Sequence, residues 1–154
     1  MVLLDYAAVD LVALDIAAND KQELLQKLVD LLLQSGRIRD AAHLMGELLK
    51  REQVMSTGIG GGIAIPHALT EDIEKLALVF GRTATPMDFQ AMDSKPVDLI
   101  FMLVGPKTSS SVYVKLLARV SRLLQNEAFK ERLRLAKSPH DVLEAFQSEA
   151  EYAQ

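Results

Sequence analysis

Apolar side chains recur at helical spacing in the first third of the chain. From about Asp20 to Gln34, Leu24, Leu25, Leu28, Leu31 and Leu32 fall on one face. Asp20 with Glu23 three residues on marks the start of this helix, and Gly36 its stop. A second helix is predicted from about Asp40 to Lys50, with Ala41, Leu44, Met45, Leu48 and Leu49 inward and His43, Glu47 and Lys50 on the opposite face. The period then changes. Ser56 to Gly62 reads STGIGGG, which is no helix and is too glycine-rich for a good strand. Ile63-Ala64-Ile65 is a short strand ended by Pro66. Lys75 to Phe80 and Val97 to Val104 are further strands, and Val12 to Ile16 another. The run VDLIFMLV is almost wholly apolar, as a strand covered on both faces should be. Thr83 to Pro96 between them reads as a loop.

The last third is helical again. Leu116, Leu117, Val120, Leu123 and Leu124 form a stripe, with Lys115, Arg119 and Arg122 on the other side as a solvated basic face. Asn126 caps a further helix to about Lys137. Ser138-Pro139 supplies the cap and first turn of a final one through Phe146. This order predicts an α/β fold, a single-domain mixed β-sheet over residues 1–154 with helices on both faces.

Composition narrows the function. With 154 residues the chain suits one domain able to bury a full core. It has no cysteine, which excludes disulfides, thiolate metal sites and a cysteine nucleophile. A net charge of −4 and few aromatics argue against nucleic acid as a partner. The opening MVLLDYAAVDLVALD is acidic and lacks a basic leader, so no secretory signal is expected. The longest apolar run, Leu99 to Val104, is far short of the about 18 residues of a membrane span. A cytoplasmic protein without direct membrane insertion is expected.

The chemistry concentrates in Thr57 to Ala68, TGIGGGIAIPHA. Gly58, Gly60, Gly61 and Gly62 permit positive φ and close approach, so successive N–H groups can converge on an anion. The same glycines also serve a plain tight turn. Neither a Walker loop nor a dinucleotide fingerprint is present. Pro66 stiffens the chain on both sides of itself and places His67 at the end of a rigid strand, close behind the glycines. A neutral imidazole is a good nucleophile at neutral pH, and a phosphorylated one keeps high transfer potential because its P–N bond is labile.

Arg51-Glu52, Ser56-Thr57-Gly58-Ile59-Gly60 and Gly62-Ile63-Ala64-Ile65-Pro66-His67 resemble the signature around the phosphorylated histidine of the mannitol/fructose-class IIA family of the sugar phosphotransferase system, which includes the nitrogen-related regulatory IIA proteins. Asp88 to Asp93, Pro96 to Phe101, Lys115 to Leu124 and the opening LDIAANDKQELLQKLVDLL are also similar to family segments. The resemblance implies a mixed sheet between helices and a phosphoryl group accepted on His67 from the phosphohistidine of HPr or an HPr-like carrier. Onward transfer goes to a cysteine of a IIB domain where one exists. No metal, nucleotide or other cofactor is needed.

Arg51 matches the family's active-site arginine, which neutralises phosphoryl oxygens; without that match it is a helix-terminal Arg favouring the dipole. Thr57 is expected either to hydrogen-bond the imidazole or a phosphate oxygen, or to satisfy local backbone in a turn. Tyr113 marks a departure, standing in Tyr113-Val114-Lys115 where the family reads His-Leu-Lys. Its hydroxyl can donate a hydrogen bond but carries no positive charge. A packing role at the helix start is the alternative. His43 and His140 read as surface residues, and Glu71, Asp72 and Glu74 as a solvated loop that could also help a basic partner dock. No IIB or IIC segment is legible, which tilts the expectation towards a regulatory protein of the nitrogen branch over a sugar-uptake IIA. A relative that binds an anion or a partner without being phosphorylated is the third reading.

Overall fold

The computed structural model describes residues 1–152. Strands β1 (Val12–Ile16), β2 (Gly58–Gly60), β3 (Ile63–Ala64), β4 (His67–Leu69), β5 (Ala77–Met87) and β6 (Val97–Gly105) form one sheet. Helices α1 (Lys21–Gln34), α2 (Ala41–Val54), α3 (Ser110–Leu123), α4 (Glu127–Leu135) and α5 (Pro139–Gln147) cover it. The sheet order is β1-β5-β6-β3-β2, with β4 continuing the line of β3 along β6. β1 is parallel to β5, β5 antiparallel to β6, and β3 and β4 parallel to β6. The sheet is therefore mixed, as expected.

The helix starts follow their caps. The side chains of Asp20, Asp40, Asn126 and Ser138 accept from the N–H groups of Glu23, His43, Phe129 and Asp141 at 2.8, 3.0, 3.0 and 3.2 Å. Alternation along β6 builds two cores. Ile100, Met102 and Val104 face α1 and α2, while Leu99, Phe101 and Leu103 face α3, α4 and α5. Phe80, Phe101 and Phe146 meet on the second face with centroids 5.0–6.2 Å apart. Each is fully buried and contributes about 1.5–3 kcal/mol of transfer free energy.

Four sequence expectations are corrected. Gly58–Gly60 forms a strand after all, because an edge strand needs only backbone pairing and β3 supplies it: Gly58 pairs with Ala64 and Gly60 with Ile63. β5 begins at Ala77 and runs on to Met87, into the region read as loop, since pairing resumes at Met87 with Val97 after a bulge. His67 opens a strand, β4, where Pro66 was expected to leave it at a strand's end. Arg119 is no solvated cation. It pairs with the buried carboxylate of Glu149, whose other oxygen accepts the Leu3 N–H at 2.7 Å.

Three glycines with positive φ form the tip of the β2–β3 hairpin, at +99° (Gly60), +67° (Gly61) and +82° (Gly62); Gly36, after α1, also has positive φ. α4 clamps this tip. Arg134 Nη2 donates to the Gly61 carbonyl at 3.3 Å and grips Asp98 through Nε and Nη2 at 2.8 and 3.0 Å. Lys130 Nζ approaches the same carbonyl at 3.4 Å. A Cβ on Gly62 would lie 2.6 Å from Arg134 Nη2 and 2.8 Å from Asp98 Oδ1. Gly62→Ala is therefore expected to destabilise by about 1–2 kcal/mol or more from φ alone. Thermal melting should read this as a loss of roughly 2–4 °C per kcal/mol.

Candidate functional site

His67 is anchored by the strand it opens. Its backbone lies opposite Leu103 on β6, and Pro66, lacking an N–H, still gives its carbonyl to the Leu103 N–H at 2.9 Å. The imidazole folds back on its own chain, and Nδ1 lies 2.7 Å from the carbonyl oxygen of Ile65. A carbonyl can only accept, so Nδ1 carries the proton and Nε2 keeps its lone pair. Burial is the main cause that lowers the His67 pKa below the ordinary imidazole value. The nearby Arg51 charge adds to it, while the Ile65 hydrogen bond and the Glu52 charge oppose it. The ring is thus neutral at neutral pH, with one defined nucleophilic nitrogen. An NMR titration of His67 should give a midpoint below the ordinary imidazole range. The nucleophilic form persists on acidification until pH passes that depressed midpoint, and is lost below it.

Arg51 lies in the last turn of α2, and its Nη1 donates to the Met55 carbonyl at 2.8 Å. Its charge acts on both His67 and Tyr113. Arg51 thus closes the helix end, and its charge reaches the histidine. Tyr113 occupies the first turn of α3, with its ring centroid 6.0 Å from that of His67 and tilted by 57°. Burial raises its phenol pKa well above the ordinary value, so the hydroxyl stays protonated as a neutral donor. α3 starts at Ser110 without a side-chain cap, continuing a 3-10 turn over Lys107–Ser109.

Thr57 is used differently from either expectation. It is buried, and its hydroxyl donates to Glu52 Oε1, so that proton is not free for the imidazole or for a phosphate. Its N–H also binds Glu52, at 3.1 Å to Oε2. Gly58, Gly60 and Gly62 do not assemble into an anion cradle at His67. The Gly58 N–H binds Ser56 Oγ at 3.1 Å, and the Gly61 N–H binds the Asp93 carboxylate at 3.0 Å. Gly62 accepts from Asp98 on β6, whereas His67 pairs with Leu103. Five residues of extended strand place the hairpin tip roughly 16 Å from the histidine. For Gly60, Gly61 and Gly62 the adjacency to His67 is in sequence alone, whereas Gly58 lies back along the hairpin opposite Ala64.

Glu52 stands beside Arg51 in the family-like signature, but the sequence assigns it no role. The available signal was its position, since Leu44, Leu48 and Glu52 share the i, i+4 spacing of the apolar face of α2. His43 is exposed but not idle: its ring binds the Asp72 carboxylate, which raises its pKa and favours the protonated ring. Asp72 in turn accepts from the Thr70 hydroxyl at 2.6 Å, which takes it out of the solvated acidic loop. His140 is exposed, as expected.

Residues 6–149 match the model of the phosphoenolpyruvate-dependent sugar phosphotransferase system EIIA 2 family. The chain belongs to this family. This EIIA domain is 36% identical over 133 residues to the PTS system fructose-specific EIIA component of Haloferax volcanii, with 86% of each chain covered. It is 33% identical over 150 residues to the nitrogen regulatory protein of Bradyrhizobium diazoefficiens, with 92% of each covered. Among solved structures, the crystal structure of nitrogen regulatory protein IIA-Ntr from Neisseria meningitidis matches with a TM-score of 0.81 at 28% identity, covering 92% of this chain and 97% of that one. A fructose-specific EIIA component and nitrogen regulatory proteins are thus both among its relatives. Among the described residues, no helix of the EIIA fold is long and apolar enough to cross a membrane.

Proposed function

We propose that the chain is a phosphoryl carrier whose acceptor atom is Nε2 of His67, loaded by the phosphohistidine of an HPr-type protein. The observation that carries this reading is the Nδ1 hydrogen bond to Ile65 at 2.7 Å, which leaves Nε2 as the free lone pair on a half-buried, neutral ring. In the transfer, the donor's P–N bond breaks as the bond from phosphorus to Nε2 forms. The donor imidazole leaves with the electron pair of the broken bond. The Nδ1 proton stays where it is, and the positive charge that develops on the His67 ring is stabilised by the Ile65 carbonyl. Arg51 offsets the phosphoryl oxygens, and the Tyr113 hydroxyl is a neutral donor to them. Most of the barrier is met by positioning, since the chemistry exchanges like for like.

The surface around these residues suits a protein donor. Val54 and Met55, which follow Arg51, are 82% and 59% exposed, and Val114, beside Tyr113, is 61% exposed. Apolar side chains left in water next to a reactive group are typical of a docking face.

For the destination we favour a regulatory protein of the nitrogen branch, in which phosphorylation changes the partner bound. Tyr113 supports this reading, because a neutral phenol adds no second positive charge to drive the phosphoryl group onward. The alternative is delivery to a IIB cysteine, breaking P–N and forming P–S. Intact-mass analysis after incubation with phosphoenolpyruvate, enzyme I and HPr, including the nitrogen-branch versions, tests the carrier reading: an acid-labile gain of one phosphoryl group is expected. A lack of gain with every donor pair would overturn it. Robust passage to an added IIB domain would overturn the regulatory destination alone.

A further inference from the structure

Glu52 is a carboxylate in an unusual place. It lies on the inward face of α2, one turn beyond the fully buried Leu48, and its side chain is only 5% exposed. Such a charge is tolerated only when its oxygens are filled. Oε2 accepts from Lys21 Nζ at 2.9 Å and from the Thr57 N–H at 3.1 Å, and Oε1 accepts from the Thr57 hydroxyl. Lys21 is itself held over the Phe89 ring, 4.5 Å from its centroid.

An ion pair with Lys21 alone would not require either contact to Thr57. The carboxylate grips that residue at two points, backbone and side chain. Thr57 needs the grip, because it leads into β2, an edge strand rich in glycine and paired only with β3. From Thr57 the connection continues. Its carbonyl accepts the Ile65 N–H at 2.9 Å, and the Ile65 carbonyl accepts Nδ1–H of His67 at 2.7 Å. The N–H and C=O of one residue belong to different peptide planes. The series therefore transmits position and does not polarise the ring through continuous hydrogen bonds.

We infer that Glu52 is a positioning residue for phosphoryl transfer: through Thr57 and Ile65 it fixes the carbonyl that selects the His67 tautomer and aims Nε2 outward. The carbonyl of Ile65 can hold Nδ1 only while β2 and β3 keep their register, and Glu52 is the side chain that ties this hairpin to α2. The inference rests on the reading of His67 as phosphoryl acceptor, but its first readout does not.

The test uses nitrogen-15 NMR of the His67 ring, at a pH where it is neutral, in wild type, Glu52→Gln, Glu52→Ala and Thr57→Val. The amide of Glu52→Gln keeps the shape but cannot accept at both ends. Wild type is expected to show one tautomer, protonated at Nδ1, and after loading a single phosphohistidine isomer at Nε2. Both Glu52 variants are expected to show a mixed tautomer, a mixed isomer and a rate of acceptance lower by roughly tenfold or more. Thr57→Val, which loses only the hydroxyl contact, should shift the tautomer in the same direction by less. A role confined to stability would lower Tm without moving tautomer or isomer. Folded Glu52 variants with the wild-type tautomer would therefore overturn the inference. If Glu52→Ala fails to fold, Glu52→Gln and Thr57→Val decide it on the same readout. A wild type that takes no phosphoryl group yet loses its tautomer in Glu52→Gln would overturn the carrier reading and sustain the role of Glu52.

Discussion

His67→Ala is expected to abolish the acid-labile phosphoryl gain completely while leaving a folded protein. The loss follows from chemistry: no other group at the site has a lone pair of comparable nucleophilicity at neutral pH. Arg51 is always protonated, and the Tyr113 phenol is held neutral by burial. The substitution leaves the Ile65 carbonyl without its Nδ1 donor, which costs about 1–3 kcal/mol. A domain of typical stability, about 5–15 kcal/mol, survives that. His67→Asn separates the two effects, because its amide nitrogen takes the place of Nδ1 and can still donate to Ile65 but cannot accept a phosphoryl group. It should melt closer to wild type and be equally inert. Retained phosphorylation would move the acceptor elsewhere. His43 is a poor candidate, since Asp72 favours its protonated, non-nucleophilic form. His140 would then be examined first.

Arg51→Ala should lower the rate of phosphoryl acceptance by about 10²–10³-fold, the usual consequence of removing one preorganised charge partner from a transferring group. The direction of a second readout is also fixed. Arg51 contributes to holding the His67 pKa down, so its removal should move the His67 midpoint up towards the ordinary imidazole range. Arg51→Lys keeps a charge but loses the planar fork, and should fall between the two in rate. It also loses the geometry of the bond to Met55, so a small drop in Tm is expected for both variants. A normal rate in Arg51→Ala with a raised His67 midpoint would show that Arg51 sets the ring's charge state and has no contact with the phosphoryl oxygens.

Gly62→Ala completes this set by its contrast. If the hairpin tip is structural, phosphoryl acceptance survives the substitution and only stability falls. If the glycines cradle the phosphoryl group, both fall together.

Much of the frame was legible because it depends on local signals. The leucine stripe of α1, the caps at Asp20, Asn126 and Ser138, and the apolar run of β6 each declare themselves within a dozen residues. What was not legible depends on pairing between distant segments. β2 has too little side chain to signal a strand, and it exists because β3 turns back on it. The second half of β5 is likewise held by the ladder to β6. At the candidate site, motif and resemblance single out Arg51, His67 and Tyr113, and the fold brings the His67 and Tyr113 rings to 6.0 Å. The use of Thr57 and Glu52 was not legible, because it depends on which oxygen meets which proton. The hairpin-tip glycines show the limit most plainly: Gly60, Gly61 and Gly62 are close to His67 in sequence, and the extended chain between converts that closeness into separation.

The bond from the Leu3 N–H to the buried Glu149 carboxylate brings the first and last described elements of the fold side by side. A short linker joining these elements, with new termini cut at the exposed Gly36 turn between α1 and α2, would give a circular permutant with every strand pairing intact. Because His67, Arg51, Thr57 and Tyr113 all lie on one side of that cut, the permutant should keep the phosphoryl chemistry of the original order.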